Sequence, residues 1–328
     1  MQASPTIVVA GGAGYIGSHM VAMLRENGFV PVVVDNLSTG HADAVGGEFL
    51  EQGDIGDAAF IASVLHRHRP MCVMHFAAFS IVGESMTQRE RYWHNNVVGT
   101  EVLLQAMQAE GVDRFIFSSS AAVYGVPGSV PITEDHPCRP INPYGETKLA
   151  VEHMLQHLGR SHGLRSVSLR YFNAAGARPD ATLGERHDPE THLIPLVLQV
   201  AAGRRPHLAR FGLGHGTPDG SCVRDFIHVQ DLCDAHLLAL RHLQAGGASG
   251  SYNLGTGLGH SVTQVIDTAR RVTGHAIPVV DEPARAGDPP VLVADATRAR
   301  RELKWTPRYP DLETIMAHAW QWERRNGR

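Results

Sequence analysis

The chain of 328 residues is poor in cysteine, and what it has is scattered: Cys72, Cys138, Cys222 and Cys233 lie far apart with no CxxC spacing. Such a set reads as reduced thiols of an intracellular protein, not as a disulfide framework or a zinc knuckle. An excess of one charge is also missing. The 29 basic and 33 acidic residues leave a net charge of −4, and the basic ones are dispersed. The chain therefore carries no cationic field for nucleic acid or an anionic membrane surface. Long apolar runs are absent too; the longest are strand-sized, far below the roughly 20 residues a membrane-spanning helix needs. The opening stretch MQASPTIVVAGG enters a strand directly, without the charged start and apolar stretch of a secretion signal. Repeats and low-complexity tracts are lacking as well. The expectation is a soluble, cytoplasmic globule whose length and 43% hydrophobic content allow a large core and two lobes.

Histidine, by contrast, is plentiful, at 20 residues. His187 and His192 flank DPET, and His66 and His68 flank an arginine. Neither pair has a third ligand at helical or hairpin spacing, so the expectation is that no metal is bound and that most of these rings lie at the surface.

The first half alternates short β-branched runs with helical segments. Strand candidates are TIVVA (6–10), PVVVD (31–35), CVMHFA (72–77), RFIFSSS (114–120) and SVSLRYF (166–172). Helical stretches lie near 15–27, 57–67, 86–110 and 144–161. Near-continuous apolar strands separated by helices indicate a parallel sheet covered on both faces, a doubly wound α/β fold of Rossmann type. After Phe172 the rhythm breaks into Gly-, Pro- and Asp-rich sequence with one clear helix at IPLVLQVAAG. A strand–helix pair follows at 223–243, and an amphipathic helix at the end. The reading is a dinucleotide-binding domain over 1–172, with 223–243 returning to it, and a smaller mixed lobe over 173–328 lying over the ends of the sheet. In open α/β sheets ligands bind outside the strand C-termini.

The first strand–helix junction, VVAGGAGYIGSH, spaces Gly11, Gly14 and Gly17 three apart. Glycines there let the backbone approach a pyrophosphate seated at the N-terminus of the next helix. Asp35 ends the second strand, where a carboxylate accepts hydrogen bonds from ribose hydroxyls and repels a 2′-phosphate, favouring NAD over NADP. A structural turn with Asp35 as an ordinary cap is the blander account of the same residues. GDI ends the third strand, where an adenine could meet Asp54 and Ile55. HFAA ends the fourth, near the expected phosphates.

At the other end, SSSAAVYG brings Ser118, Ser119 and Ser120 to the C-terminal edge of strand five, and NPYGETK places Tyr144 and Lys148 one helical turn apart. A phenol titrates near pH 10. A lysine one turn away and a nicotinamide cation would favour the phenolate and make it a better base. Ser120 is suited to hydrogen-bond the same substrate hydroxyl. A YxxxK spacing alone arises often by chance; its order after the glycine turn, Asp35 and a strand-end serine gives it weight. The set suits proton removal from an alcohol whose carbon gives up hydride.

Along nearly its whole length the chain resembles the extended short-chain dehydrogenase/reductase superfamily, and within it the UDP-glucose 4-epimerases. The segments that carry the resemblance are GGAGYIGSH, VVDNLSTG, GDI, HFAA…VGES, NNVVGT, SSSAAVYG, NPYGETK, RYFNAAGA, VRDFIHVQDL, YNLGTG and RAGDPP. The resemblance implies tightly held NAD, oxidation at C4 of a UDP-hexose to a 4-keto sugar, and return of the hydride to the opposite face. It makes Tyr144 the base, puts Lys148 on the nicotinamide ribose and Ser120 beside the 4-hydroxyl. Tyr15, Ile16, Asp35, Asn36, Asp54, Ile55, Phe76, Ala77, Ala78, Ser80, Asn95 and Phe172 would line the cofactor. Asn173, Leu193, Phe211, Arg224, Arg285, Asp288 and Leu292 would face the UDP-sugar, the arginine forks suiting a pyrophosphate. It further implies a homodimer through the helices near 86–110 and 144–161.

Three positions depart from the pattern: Ser80 stands where some members carry lysine near the cofactor phosphates, His192 replaces an asparagine common before the L-x-P segment at the UDP site, and Leu292 stands where some members carry a tyrosine that restricts the C2 side of the sugar. Leu292 is intermediate in size and leaves N-acetylated sugars open. Ala121 and Ala122 occupy the place where nucleotide-sugar dehydratases usually carry an acid pair, which argues against a lyase. UDP-glucuronate and UDP-pentoses remain open as substrates, and so does a non-catalytic NAD-binding protein.

Overall fold

Strands that are apolar on both faces need cover on both faces, and the computed structural model, which describes residues 4–46, 49–283 and 289–326, supplies it. In chain order the strands are β1 (Thr6–Ala10), β2 (Val30–Asp35), β3 (Leu50–Gln52), β4 (Cys72–His75), β5 (Arg114–Ser120), β6 (Arg165–Tyr171), β7 (Asn173–Ala175), β8 (Leu208–Phe211), β9 (Val223–His228), β10 (Gly250–Leu254), β11 (Gly259–Ser261), β12 (Val279–Glu282) and β13 (Val291–Leu292). The helices are α1 (Tyr15–Glu26), α2 (Ala58–His68), α3 (Val82–Ser85), α4 (Arg89–Trp93), α5 (Gly99–Ala109), α6 (Pro143–His162), α7 (Leu193–Ala201), α8 (Val229–Gln244), α9 (Val262–Thr273), α10 (Thr297–Glu302) and α11 (Leu312–Asn326).

The chain forms two compact units. The first comprises the residues up to Gly125, Pro137–Arg170 and Cys233–Tyr252. Its seven-stranded sheet runs β10-β6-β5-β4-β1-β2-β3, with parallel pairing from β3 through β2, β1 and β4 to β5. From β1 the chain steps outward to β2 and β3, then crosses back to β4. The strand order reverses there, and ligands of such sheets bind outside the strand ends at that point. One face of the sheet packs Val8, Val73 and Phe115 against Ile61 and Leu65 of α2, Leu103 and Met107 of α5, and Val151 and Leu155 of α6, all buried. Each such side chain contributes on the order of 1.5–3 kcal/mol by leaving water.

The stretch read as one helix over 86–110 is α4, a π-helical turn at His94–Val98, and α5. A π turn re-aims the side chains on it, a device common at functional sites; here it carries Asn95 and Asn96.

The second unit comprises Val126–His136, Tyr171–Leu232 and the chain from Asn253 onward. Strand β9 is its hub, pairing with β7, β11 and β13, while β8 and β12 form a separate parallel pair. Its core gathers Ile194, Val197 and Leu198 of α7, Val265 and Ile266 of α9, and Ile315 and Met316 of α11 with Phe226. The sequence suggested that 223–243 returns whole to the first domain. Strand β9 instead stays in the second unit, and the chain rejoins the first only from Cys233 in α8, adding β10 as the seventh strand. Among the described residues no helix is long and apolar enough to cross a membrane.

Candidate functional site

The glycine turn is built by close backbone approach. Gly11, with φ of +75°, lies so near the β4 exit that a Cβ on it would stand 2.4 Å from the Ala77 nitrogen. At Gly17 a Cβ would stand 2.1 Å from the Gly11 carbonyl oxygen. The protein's own packing thus demands glycine at both positions. Gly14 differs: a Cβ there would meet only the Gly11 oxygen, at an ordinary 3.4 Å. It caps α1 without a side-chain hydrogen bond, and the first turn, with Tyr15 and Ile16, has no acidic residue. The leading amides of a helix have no partner within it, and its dipole favours an anion there. An open glycine cap and a neutral first turn fit a dinucleotide pyrophosphate.

Asp35, buried at the end of β2, accepts hydrogen bonds from the amides of Ala13 (2.9 Å) and Leu37 (2.8 Å). Burial raises its pKa from the usual carboxylate value, and those two amides oppose the shift. The carboxylate therefore shapes the glycine turn besides facing its surroundings, and each oxygen keeps a second lone pair for a ribose hydroxyl. Asn36 donates to the Asp54 carboxylate at 2.9 Å, and Asp54 also accepts from the Gly56 amide at 2.7 Å. These bonds tie the ends of β2 and β3 together beside the buried Ile55. Past β4, the amides of Phe76 and Ala77 both donate to the Ala10 carbonyl, at 2.7 and 3.0 Å. Asn96 then pins the loop through Ala78 and Ser80. It accepts from the Phe79 amide (2.9 Å) and from the Asn95 side chain (2.9 Å), and donates to the Phe79 carbonyl (3.0 Å).

At the reacting end, NPYG starts α6 for identifiable reasons. Asn142 caps the helix by accepting from the Gly145 amide at 2.8 Å, and Pro143 takes the first helical position, where its missing N–H costs nothing. Gly145 is required because a Cβ would stand 2.5 Å from the Ala122 carbonyl. The helix start is thereby pressed onto the exit of β5. Ser120, the last residue of β5, hydrogen-bonds the Tyr144 hydroxyl and accepts from the Ala122 amide at 3.1 Å. Lys148, 4% exposed, donates from Nζ to the Ser118 carbonyl at 2.8 Å and lies 4.9 Å from the Phe117 ring centre and 5.7 Å from that of Tyr144.

The expected lowering of the phenol pKa joined a lysine with a nicotinamide cation; within the chain alone, burial pushes Tyr144 up to about 12, with the Ser120 hydrogen bond pulling the other way. Burial likewise pulls Lys148 down to about 7, against the Glu152 carboxylate. The ammonium is spent on a carbonyl, and within the chain desolvation outweighs it.

Sequence reasoning missed the layer beneath. Glu152, one turn beyond Lys148, accepts from Ser119 Oγ at 2.6 Å and from Arg170 Nε at 2.9 Å. Arg170 also donates to the Tyr124 hydroxyl at 2.9 Å. The three-charge set Lys148, Glu152 and Arg170 is buried. Two signals were available: the fourfold spacing of Tyr144, Lys148 and Glu152, and a lone arginine inside the apolar run SVSLRYF. His75, buried at the end of β4, places Nε2 2.7 Å from Thr100 Oγ1. Burial, and after it the Lys148 charge, pulls its pKa to about 3, so its ring is neutral.

In the second unit Arg224 on β9 stands directly opposite Leu292 on β13 and His260 on β11, and Asn173 on β7 is opposite Phe226. These strands bring Asn173, Arg224 and Leu292 into one sheet. Leu193 opens α7 and Phe211 closes β8, on other elements; Phe172 lies between β6 and β7 and is half-buried. Arg285 and Asp288 lie outside the described residues.

A doubly wound sheet with a glycine turn after β1, an acid ending β2 and a Ser–Tyr–Lys set on β5 and α6 defines a dinucleotide-using protein of the short-chain dehydrogenase/reductase type. A model of the NAD dependent epimerase/dehydratase family matches residues 7–255. The UDP-glucose 4-epimerase of Halalkalibacterium halodurans is 51% identical over 318 residues, 97% of this chain and 95% of that protein. The UDP-glucose 4-epimerase of Brucella ovis in complex with NAD superposes with a TM-score of 0.94 at 48% identity, covering 97% of this chain and 98% of that one. That of Bifidobacterium longum, in complex with NAD+ and UDP, gives 0.93 at 36% identity over 98% of each chain. The chain belongs to the NAD dependent epimerase/dehydratase family and, within it, stands with the UDP-glucose 4-epimerases.

The buried lysine makes a stability prediction. Its folded pKa of about 7 lies below the ordinary 10.5, so the unfolded chain binds this proton more tightly. The charge thus opposes folding fully below about pH 7, and the opposition fades as pH rises towards 10.5. Lys148→Met is expected to raise Tm at pH 7 by a few degrees, at about 2–4 °C per kcal/mol for a domain of this size. The gain should shrink by pH 10; thermal melts across that range check it, and a lower Tm at pH 7 contradicts it.

Proposed function

We propose that this protein interconverts UDP-glucose and UDP-galactose, an NAD-dependent epimerisation at C4 through a transient 4-keto sugar. The observation that carries the reading is the hydrogen-bonded Ser120–Tyr144 pair at the end of β5, with Lys148 one turn behind it. Bound NAD would accept the hydride from C4 and return it, the redox half of the reaction that no side chain here can perform, and would bring positive charge to the phenol. Gly11, Gly14 and Gly17, the Tyr15 and Ile16 amides, Asp35, Asn36, Asp54, Ile55, Phe76, Ala77, Ala78, Ser80, Asn95 and Phe172 are the residues that would hold it.

Tyr144 takes the proton of the 4-hydroxyl and later returns it. Ser120 orients that hydroxyl through the hydrogen bond it now makes to the phenol. Lys148, anchored on the Ser118 carbonyl, keeps a cation at the ribose side of the phenol, and Glu152 supports its charge. At the UDP end we assign Asn173, Leu193, Phe211, Arg224, Arg285 and Asp288, the arginines as pyrophosphate forks. Leu292, opposite Arg224, is assigned to the sugar side. A larger or differently substituted UDP-sugar is the second reading, because leucine there is smaller than tyrosine. Elimination is disfavoured by Ala121 and Ala122, which transfer no protons.

The first unit is read as the NAD domain and the second as the UDP-sugar domain, in a cytosolic homodimer. The exposed Val82, Met86 and Trp93 on and beside α3 and α4 support pairing of two copies there.

Proton NMR of UDP-galactose incubated with the purified protein, without added cofactor, tests the reaction. UDP-glucose signals should grow towards an equilibrium mixture. Tyr144→Phe should leave the fold and bound NAD intact and lower turnover by at least about 100-fold, the loss typical of a missing general base; near-normal turnover in that variant overturns the assignment. For Asp35→Ala the affinity for NAD should fall more than that for NADP, by titration of the apoprotein with each; equal losses would remove the ribose role.

A further inference from the structure

Between the second unit's β7 and α7 the chain draws four donor side chains together, the last of them, His192, next to Leu193 at the start of α7. We propose that Glu185, His187, Glu190 and His192 form a binding site for a zinc-class divalent cation. One donor atom from each lies within 4.8 Å of the others. His187 Nδ1 is 3.3 Å from Glu185 Oε1 and 3.7 Å from Glu190 Oε1, and His192 Nδ1 hydrogen-bonds the same Glu185 oxygen. Donors held on bonds of about 2.0–2.2 Å around a tetrahedral ion stand roughly 3.3–3.6 Å apart. The two His187 pairs lie at or just above that spacing.

The donor set selects the ion. Two imidazoles with two carboxylates suit zinc and its first-row neighbours, whereas calcium and magnesium sites are built from oxygen alone. The rings of His187 and His192 are 5.1 Å apart and nearly perpendicular, at 88°, so both present Nδ1 to one carboxylate without stacking. Outer contacts hold the donors. Glu190 Oε1 accepts the amides of Thr191 and His192, each at 2.8 Å. The Glu185 carbonyl accepts from Trp322 Nε1 at 3.0 Å. The indole lies so close to Gly184 that a Cβ there would stand 2.3 Å from Trp322 Cγ. Glu185 itself is buried. Such outer contacts orient ligands and tune affinity.

The cluster escapes a search by spacing because its intervals of two, three and two residues mix the strand and helix periods within one loop. The two histidines were set aside for want of a third ligand; the fold supplies two. A cation here would clasp residues 185–192 ahead of α7, replacing the protons that bridge Nδ1 to carboxylate.

The test uses the full chain, stripped with a chelator and dialysed. Titration calorimetry with Zn²⁺ should show a single saturable equivalent per chain, and Co²⁺ should give the intense visible bands of a tetrahedral ion. His187→Ala and Glu190→Gln should each weaken Zn²⁺ binding by at least about tenfold, the scale for losing a ligand or its support, while His66→Ala leaves it unchanged. Zn²⁺ should raise the Tm of the parent protein and not that of the two variants. No saturable binding overturns the proposal. So does binding that survives both variants unchanged, which would place the ion on other histidines, and so does a pale octahedral cobalt spectrum. Because every readout is metal content or melting, the outcome does not depend on turnover.

Discussion

The buried ammonium of Lys148 on the Ser118 carbonyl is the contact on which the reacting end depends. It joins a helix to the strand beside it at the level of the reacting residues. Tyr144, one turn before it on the same helix, is thereby carried to the Ser120 hydroxyl. Burying a cation is costly unless it is paired and hydrogen-bonded. The cost here is offset by a layered arrangement in which the carbonyl takes the proton donor, Glu152 supplies the counter-charge, and Arg170 balances Glu152 in turn. Removing Arg170 leaves Glu152 buried without its ion-pair partner, whereas removing Lys148 leaves the Glu152–Arg170 pair in place, so the three contributions are not additive.

The nucleotide end works by the opposite means, through the absence of side chains. Gly11 and Gly17 let β1, β4 and the start of α1 meet at backbone distance, and Asp35 stiffens the turn through two amides. What remains is a helix end with no acid in its first turn and no side-chain cap, opened by a glycine whose Cβ would meet little. The reacting end spends charge to hold a rigid geometry; the nucleotide end removes bulk to leave room for a charge brought from outside. Both ends belong to the first unit, on strands that leave the same edge of one parallel sheet.

Much of this was legible from the chain alone. Strands β1, β2, β4, β5 and β6, the glycine turn, Asp35 and the Ser–Tyr–Lys set follow from apolar runs of the right length and from residues with special backbone or proton chemistry. The second unit was less legible. Its strands are two to six residues long, too short for alternation to show against Gly- and Pro-rich sequence, so β9 was assigned to the wrong body. The π turn at His94–Val98 was also hidden, because one extra residue in a helical turn barely changes the apolar period. Glu152 and Arg170 carried a weak signal that was not used, and so did Glu185 and Glu190, which stand two and three residues from His187.

By itself, the sequence determined the alternation of strands and helices in the first half, the class of fold and the chemical types at the reacting end. Those depend on local period, on chain stereochemistry and on which residues can move a proton. Only the tertiary structure decided the charge state of those residues and their partners. A pKa depends on how much water is excluded and which distant groups converge. It is burial that raises the Tyr144 phenol and lowers the Lys148 ammonium, and it is folding that brings Arg170 to Glu152 across the chain.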